Sequence, residues 1–193
     1  LVLGLEEYFG IAYPYGKLDL LAVPDFAAGA MENAGAITFR DTLLLADDKT
    51  PLGSKRAIIS VNAHELAHQW FGNLVTMKWW NDIWLNEAFA TWMGEKISRE
   101  KFPDYDFSLG IVTGARGAME DDALASQRPI RQAIDTDEQI QLAFDGITYQ
   151  KGGGVLNMFE SYIGAEKFRS GVHQHIKTHA YGNACAEDFI AAL

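Results

Sequence analysis

From Lys55 to Phe71 the chain runs seventeen residues without a proline or glycine, and the segment ends at Gly72-Asn73. That pattern predicts a long helix, with Ser54 as its N-cap. Inside it stands His64-Glu65-Leu66-Ala67-His68. Residues four apart lie on one face of a helix, so both imidazoles can reach a single ion. Imidazole is a good zinc ligand, and a catalytic zinc typically takes three protein ligands and leaves a position for water. Glu65 lies between the two histidines, where it can take a proton from water at that ion. Leu66, Ala67, Trp70 and Phe71 make the surroundings apolar. Two histidines and a glutamate in a buried helix need partners, and a metal supplies one.

The third ligand is expected from the next helix, which reads from a cap at Asp82 to about Lys101, before Pro103. Glu87 lies there, with 18 residues between it and His68, among Trp84, Leu85, Ala88, Phe89, Ala90 and Trp92. A carboxylate among such neighbours is not simply solvated. A rival cluster is His173, His175 and His179. Its neighbours Arg169, Ser170, Gln174, Lys177 and Thr178 are polar and no carboxylate separates the histidines, so it reads as a solvated helix face.

Around these helices the chain reads as α+β. Leu18 to Val23, Ala36 to Arg40 and Thr42 to Leu45 read as short strands, so residues 1–46 are expected to form a small, mostly antiparallel sheet. Asp47 to Pro51 is a turn-rich linker, and residues 52–193 are expected to be the helical part. Further helices are predicted at Phe107 to Glu120, Glu138 to Phe144 (capped by Thr136), Ile147 to Tyr162, Glu166 to His179 and from Ala186 onward, with Gln127 to Asp135 irregular. Hydrophobic residues are 48% of 193, enough for a packed core. A formal net charge of -10 argues against a nucleic-acid partner, whose phosphates need clustered Lys and Arg. The single cysteine, Cys185, excludes an internal disulfide and any Cys-x-x-Cys metal site. No apolar run reaches the length of a membrane span. The opening Leu1-Val2-Leu3-Gly4 reads as the middle of a longer protein.

The spacing His64-Glu65-x-x-His68, 18 residues, then Glu87 resembles the zinc signature of the M1 (gluzincin) aminopeptidases. Trp84-Leu85-Asn86-Glu87-Ala88-Phe89-Ala90 is similar to that family's segment around the third ligand. Gly29-Ala30-Met31-Glu32-Asn33 is identical to its exopeptidase motif, and Thr148-Tyr149-Gln150-Lys151-Gly152 resembles the segment of its catalytic tyrosine. The opening stretch through Tyr13-Pro14-Tyr15 and Lys17-Leu18-Asp19-Leu20 also looks like family sequence. Ala34, Ala88 and Gln150 depart from residues common in the family, and none removes a reacting group.

The resemblance implies a thermolysin-like catalytic domain over 1–193, with flanking domains in the full-length polypeptide. It implies one zinc ion held by His64, His68 and Glu87, and Glu65 as general base. Tyr149 would donate to the oxyanion, and Glu32 would bind the substrate's free α-amino group. Gly29, Ala30, Met31 and Asn33 complete the substrate-binding motif, with Gly29 and Ala30 presenting backbone to the peptide and Ala28 bordering the first-residue pocket. The implied partners are peptides with a free N-terminus. A thermolysin-type endopeptidase would share the zinc geometry but have no use for Glu32, and an epoxide-hydrolysing relative would have a second glycine where Ala30 stands. A purely structural zinc site would close its fourth position and need no Glu65.

Overall fold

Two helices that place the predicted ligands cross the centre of the molecule, in a computed structural model that describes residues 1–193. Helix α2 is Leu52–His68 and α3 is Ile83–Lys101. The α2 helix starts directly after Pro51, whose φ of -58° leads into it; Ser54 lies inside the first turn and is not the cap. Its second half is the buried half, from Asn62 and Ala63 through Glu65, Leu66, Ala67 and His68. Helix α3 buries Trp84, Leu85, Ala88, Phe89, Trp92, Met93 and Ile97. The two run antiparallel and approach closely at Gly94, where a Cβ atom would stand 3.0 Å from the backbone nitrogen of His64. Asp82 precedes α3 but makes no capping bond. Its carboxylate instead accepts from Arg131 Nε at 2.6 Å and from the Ala186 amide at 3.1 Å, tying the irregular stretch 123–136 and the last helix to the root of α3.

The first element is a helix, α1 (Val2–Phe9), which the sequence pattern did not reveal; it ends at Gly10 with φ 63°. The small sheet follows as β1 (Asp19–Val23), β2 (Ala30–Met31) and β3 (Ala36–Arg40), in the order β1-β3-β2. It is mixed, not mostly antiparallel. β1 and β3 are parallel in the register Asp19↔Ala36 to Val23↔Arg40, and only the short β2 runs antiparallel to β3. The reason is that β3 inserts between its two predecessors, so the chain reversal after β1, with Asp25 at φ 55°, leads to an edge strand that does not touch β1. Thr42 to Leu45 is not a strand. The Asp41 carboxylate accepts from the Thr42 amide, and the Asp41 carbonyl accepts from the amides of Leu44 and Leu45, which turns Asp41–Leu43 into a 3-10 helix.

A two-stranded parallel ribbon, β4 (Val75–Met77) and β5 (Gly182–Ala184), joins the segment after α2 to the one before the last helix. The remaining helices are α4 (Gly110–Asp122), α5 (Asp137–Leu142), α6 (Gly152–Ile163), α7 (Ala165–His179) and α8 (Ala186–Ala192). Thr136 does cap α5, in a capping box with Gln139. Ile147–Lys151 is a π-helical turn leading into α6. An aromatic cluster binds these pieces: Phe71 stacks on Phe89 at 4.0 Å, and Phe89 meets Trp92 and Phe189. Truncating a fully buried phenylalanine of this kind to alanine costs about 3–5 kcal/mol.

Candidate metal centre and substrate cleft

Because α2 and α3 are antiparallel, His68 faces Glu87 and His64 sits one turn away toward Thr91. The Nε2 atoms of the two histidines are 3.0 Å apart. Glu87 Oε2 lies 3.1 Å from His64 Nε2 and 3.4 Å from His68 Nε2. Zinc bonds of about 2.0–2.2 Å in tetrahedral geometry require ligand atoms about 3.3–3.5 Å apart. Two imidazole nitrogens and a carboxylate oxygen at these separations therefore fit one zinc ion with little rearrangement. His68 Nδ1 lies 3.1 Å from the Phe71 carbonyl, so with a metal on Nε2 the ring would keep its proton on Nδ1 and donate it to that carbonyl. His64 Nδ1 is 3.4 Å from Thr91 Oγ1, and Asn86 Nδ2 donates to Glu87 Oε1 at 3.4 Å. Asn86 belongs to the motif segment around Glu87, whereas Phe71 and Thr91 lie outside the motifs.

The electrostatics call for positive charge. Burial alone would lower His68, but the carboxylates of Glu32 and Glu87 outweigh it and push the imidazole up to about 10. Burial would raise Glu87, and His68 and His64 hold it far below the usual carboxylate range. Burial pushes Glu65 up to about 7 against the pull of His64 and His68. Three carboxylates share this buried space with two imidazoles, a donor set a dication would satisfy.

Glu32 is delivered by the β2–β3 hairpin, which Gly35 at φ 71° allows to turn and an Ala36 amide to Asn33 carbonyl bond of 2.9 Å closes. Gln69, one residue past α2, clamps this hairpin: its Oε1 accepts from the Gly35 amide at 3.1 Å and its Nε2 donates to the Glu32 carbonyl at 2.9 Å. Asn73 Nδ2 donates to the same carbonyl at 2.7 Å. The Glu32 carboxylate comes within 3.9 Å of His68 Nδ1. Asn33 does not face this space; its Nδ2 donates to Thr38 Oγ1 at 3.2 Å and fixes the hairpin.

Tyr149 arrives on the π-helical turn, its ring 5.9 Å from that of His64. Burial and then the Glu87 carboxylate raise its phenol well above the ordinary value, so it stays protonated. The turn itself is held by Arg128, whose Nη2 donates to Asp145 Oδ1 at 2.6 Å and Thr148 Oγ1 at 2.8 Å, while Asp145 Oδ1 accepts from the Ile147 and Thr148 amides at 3.0 Å.

Glu32, His64, Glu65, Glu87 and Tyr149 open on one cleft of about 740 Å³. The segment that carries the edge strand lines it from Ala28 through Gly29, Ala30 and Met31 to Glu32. Helix α2 contributes Ser60, Val61, His64 and Glu65, and α3 contributes Glu87, Thr91 and Glu95. Phe144, Tyr149 and Gln150 stand at the side. Of the predicted residues, only His68 and Asn33 are not part of its surface. The histidines of α7 lie elsewhere and are not a solvated face. His175 is buried against Phe71 and Phe189, and His173 Nδ1 bonds to the Phe9 carbonyl, because α7 packs this side onto α1 and α8.

Residues 2–193 match the sequence model described as the peptidase family M1 domain. The chain belongs to peptidase family M1. Among its curated relatives, Probable aminopeptidase 2 of Sulfurisphaera tokodaii is 49% identical over 189 residues, covering 97% of this chain and 24% of the relative. Leucyl aminopeptidase of Saccharolobus solfataricus is 47% identical over 184 residues, 95% of this chain and 23% of the relative. Endoplasmic reticulum aminopeptidase 2 of Homo sapiens is 48% identical over 189 residues, 97% of this chain and 20% of the relative. This M1 chain thus spans about a quarter of the length of these relatives or less. None of its helices is long and apolar enough to cross a membrane.

Proposed function

We propose that this chain is the thermolysin-like catalytic domain of a zinc aminopeptidase, with further domains flanking it in the full-length polypeptide. The observation that carries the reading is a three-residue ligand set, His64, His68 and Glu87, beside a cleft that also holds the adjacent buried carboxylate of Glu65 and a second carboxylate, Glu32, just past the edge strand. His64, His68 and Glu87 hold the metal. A zinc ion bound there supplies Lewis acidity, acidifying water and polarising a carbonyl.

The chain's own residues do the rest. Glu32 pairs with the free α-ammonium of the substrate; burying that charge is costly without an opposed carboxylate. The backbone of Gly29 and Ala30, at the open edge of the sheet, lies alongside the extended peptide and fixes its direction. Glu65 accepts a proton from the attacking water and returns it to the leaving amine. Tyr149, kept protonated, donates to the oxyanion of the tetrahedral adduct. Ala28, a small residue at the mouth of the first-residue pocket, leaves room for a large apolar side chain.

The names of the relatives agree with an exopeptidase, and Glu32 distinguishes this reading from a thermolysin-type endopeptidase. The test uses the zinc-loaded full-length protein on amino-acid anilides and on matched free and N-acetylated peptides. Sequential release of single residues from free N-termini supports the reading. Internal cleavage of the acetylated peptides at equal rate refutes it.

A further inference from the structure

The far end of the cleft holds a carboxylate for which the reaction has no use. Glu95 follows Glu87 and Thr91 at intervals of four on α3, so all three line the cleft from one side of the helix. At 1.5 Å per residue it lies about 12 Å beyond Glu87 along the axis. Burial raises its carboxyl and only Arg99, one turn further, pulls it back; no hydrogen bond contributes. It packs against Gly110, where a Cβ atom would be 2.0 Å from its Oε2, so the glycine at the start of α4 keeps the space the carboxylate occupies.

Direction follows from the packing. Glu32, the anchor for the substrate amine, lies at the His68 end of the metal set, 3.9 Å from that ring. Glu95 lies beyond the His64 end, since α3 passes Glu87 beside His68 and Gly94 beside His64. A peptide held by its amine at Glu32, with its first carbonyl at the metal, therefore runs toward Glu95 on the leaving-group side. Charge points the same way. Four carboxylates line the cleft, Glu32, Glu65, Glu87 and Glu95, and no lysine or arginine does. A metal dication and one substrate ammonium neutralise three of them.

We propose that Glu95 is a specificity-determining residue that pairs with a basic side chain on the third residue of the substrate, the second after the cleaved bond. An extended peptide advances about 7 Å over two residues, and the long stem of a lysine or arginine covers most of the remaining distance. This inference rests on the aminopeptidase reading and the amine anchor at Glu32.

The experiment measures release of the N-terminal alanine by the zinc-loaded full-length enzyme from Ala-Ala-Xaa-Ala-Ala, with Xaa lysine, norleucine or glutamate. Lysine should exceed norleucine in kcat/KM by about tenfold, the value of one charge-assisted contact in a partly buried cleft, and glutamate should fall below norleucine. In Glu95→Gln the lysine-to-norleucine ratio should drop to near one. Alanine release with a wild-type ratio of one overturns the inference and leaves the aminopeptidase reading intact, whatever the variant does. A Glu95→Gln enzyme that keeps the tenfold ratio overturns it too. No alanine release from any of the three peptides, with internal cleavage instead, overturns the aminopeptidase reading and this inference together.

Discussion

Replacing Gly94 by alanine tests whether the spacing of α2 and α3 sets the metal site. Alanine is worth about 0.8–1.0 kcal/mol over glycine inside a helix, so an unhindered substitution stabilises. At Gly94 the added Cβ would meet the His64 nitrogen at 3.0 Å, the His64 Cα at 3.3 Å and the Ala63 carbonyl carbon at 3.4 Å. These are backbone atoms and cannot swing aside, so α2 must move. Overpacking of this kind costs about 1–3 kcal/mol, which leaves Gly94→Ala about 1 kcal/mol less stable than wild type. Gly117, on the exposed side of α4, has nothing within 4 Å of its Cβ position, so Gly117→Ala should stabilise by about 1 kcal/mol. The two glycine-to-alanine changes should thus differ by about 2 kcal/mol, a gap of about 4–8 °C in thermal midpoint for a chain of this size. The same shift of His64 away from Glu87 should weaken zinc binding in Gly94→Ala and leave Gly117→Ala unaffected, read by competition with a chromogenic chelator. If Gly94→Ala stabilises as much as Gly117→Ala and binds zinc as tightly as wild type, the close approach does not govern the site.

In the full-length enzyme, Glu65→Gln should keep its zinc and lose about 10²- to 10⁴-fold in turnover, measured at matched metal content; a tenth of wild-type turnover remaining would remove Glu65 from the role of base. Glu32→Ala should depress kcat/KM for free-amine peptides far more than zinc occupancy, and equal losses on free and N-acetylated peptides would show that Glu32 does not read the amine. His175 should make the 193-residue chain sensitive to acid. Burial, with His179 beside it, lowers its pKa from 6.5 to about 4, so between these values the unfolded chain binds a proton that the folded chain refuses. Stability should therefore fall as pH drops through this window, by up to about 3 kcal/mol, and denaturant melts should show a flatter slope in His175→Leu; an unchanged slope would refute the assignment.

The grouping of His64, His68 and Glu87 is more legible in the sequence than the frame around it. His64, Glu65 and His68 are readable because helical spacing is local, and Glu87 because a lone carboxylate stood in an apolar run. The strand directions were not readable: the β1–β3 pairing joins residues 17 positions apart across an intervening strand, and no local pattern records which neighbour a strand chooses. Helix α1 has no clear local signal because Val2 to Phe9 is short, with Glu6 and Glu7 inside it, and its burial against α7 is decided from the other end of the chain. The polar neighbours of His175 suggested a wet helix face, yet they describe the other sides of α7, not the one turned to Phe71 and Phe189.

The same distinction explains Gln69, Arg128 and Glu95. Each acts on a residue far away in sequence: Gln69 on the hairpin that delivers Glu32, Arg128 on the turn that delivers Tyr149, and Glu95 on space left by Gly110. A motif preserves the groups that react, because they must meet a fixed chemistry. What holds those groups in place is tertiary, and only the packing of α2, α3 and the π-helical turn around one cleft makes it visible. On the proposed reading, two chains with identical motifs can differ in substrate through a position such as Glu95, which lies on the same helix face as Glu87 but outside the signature.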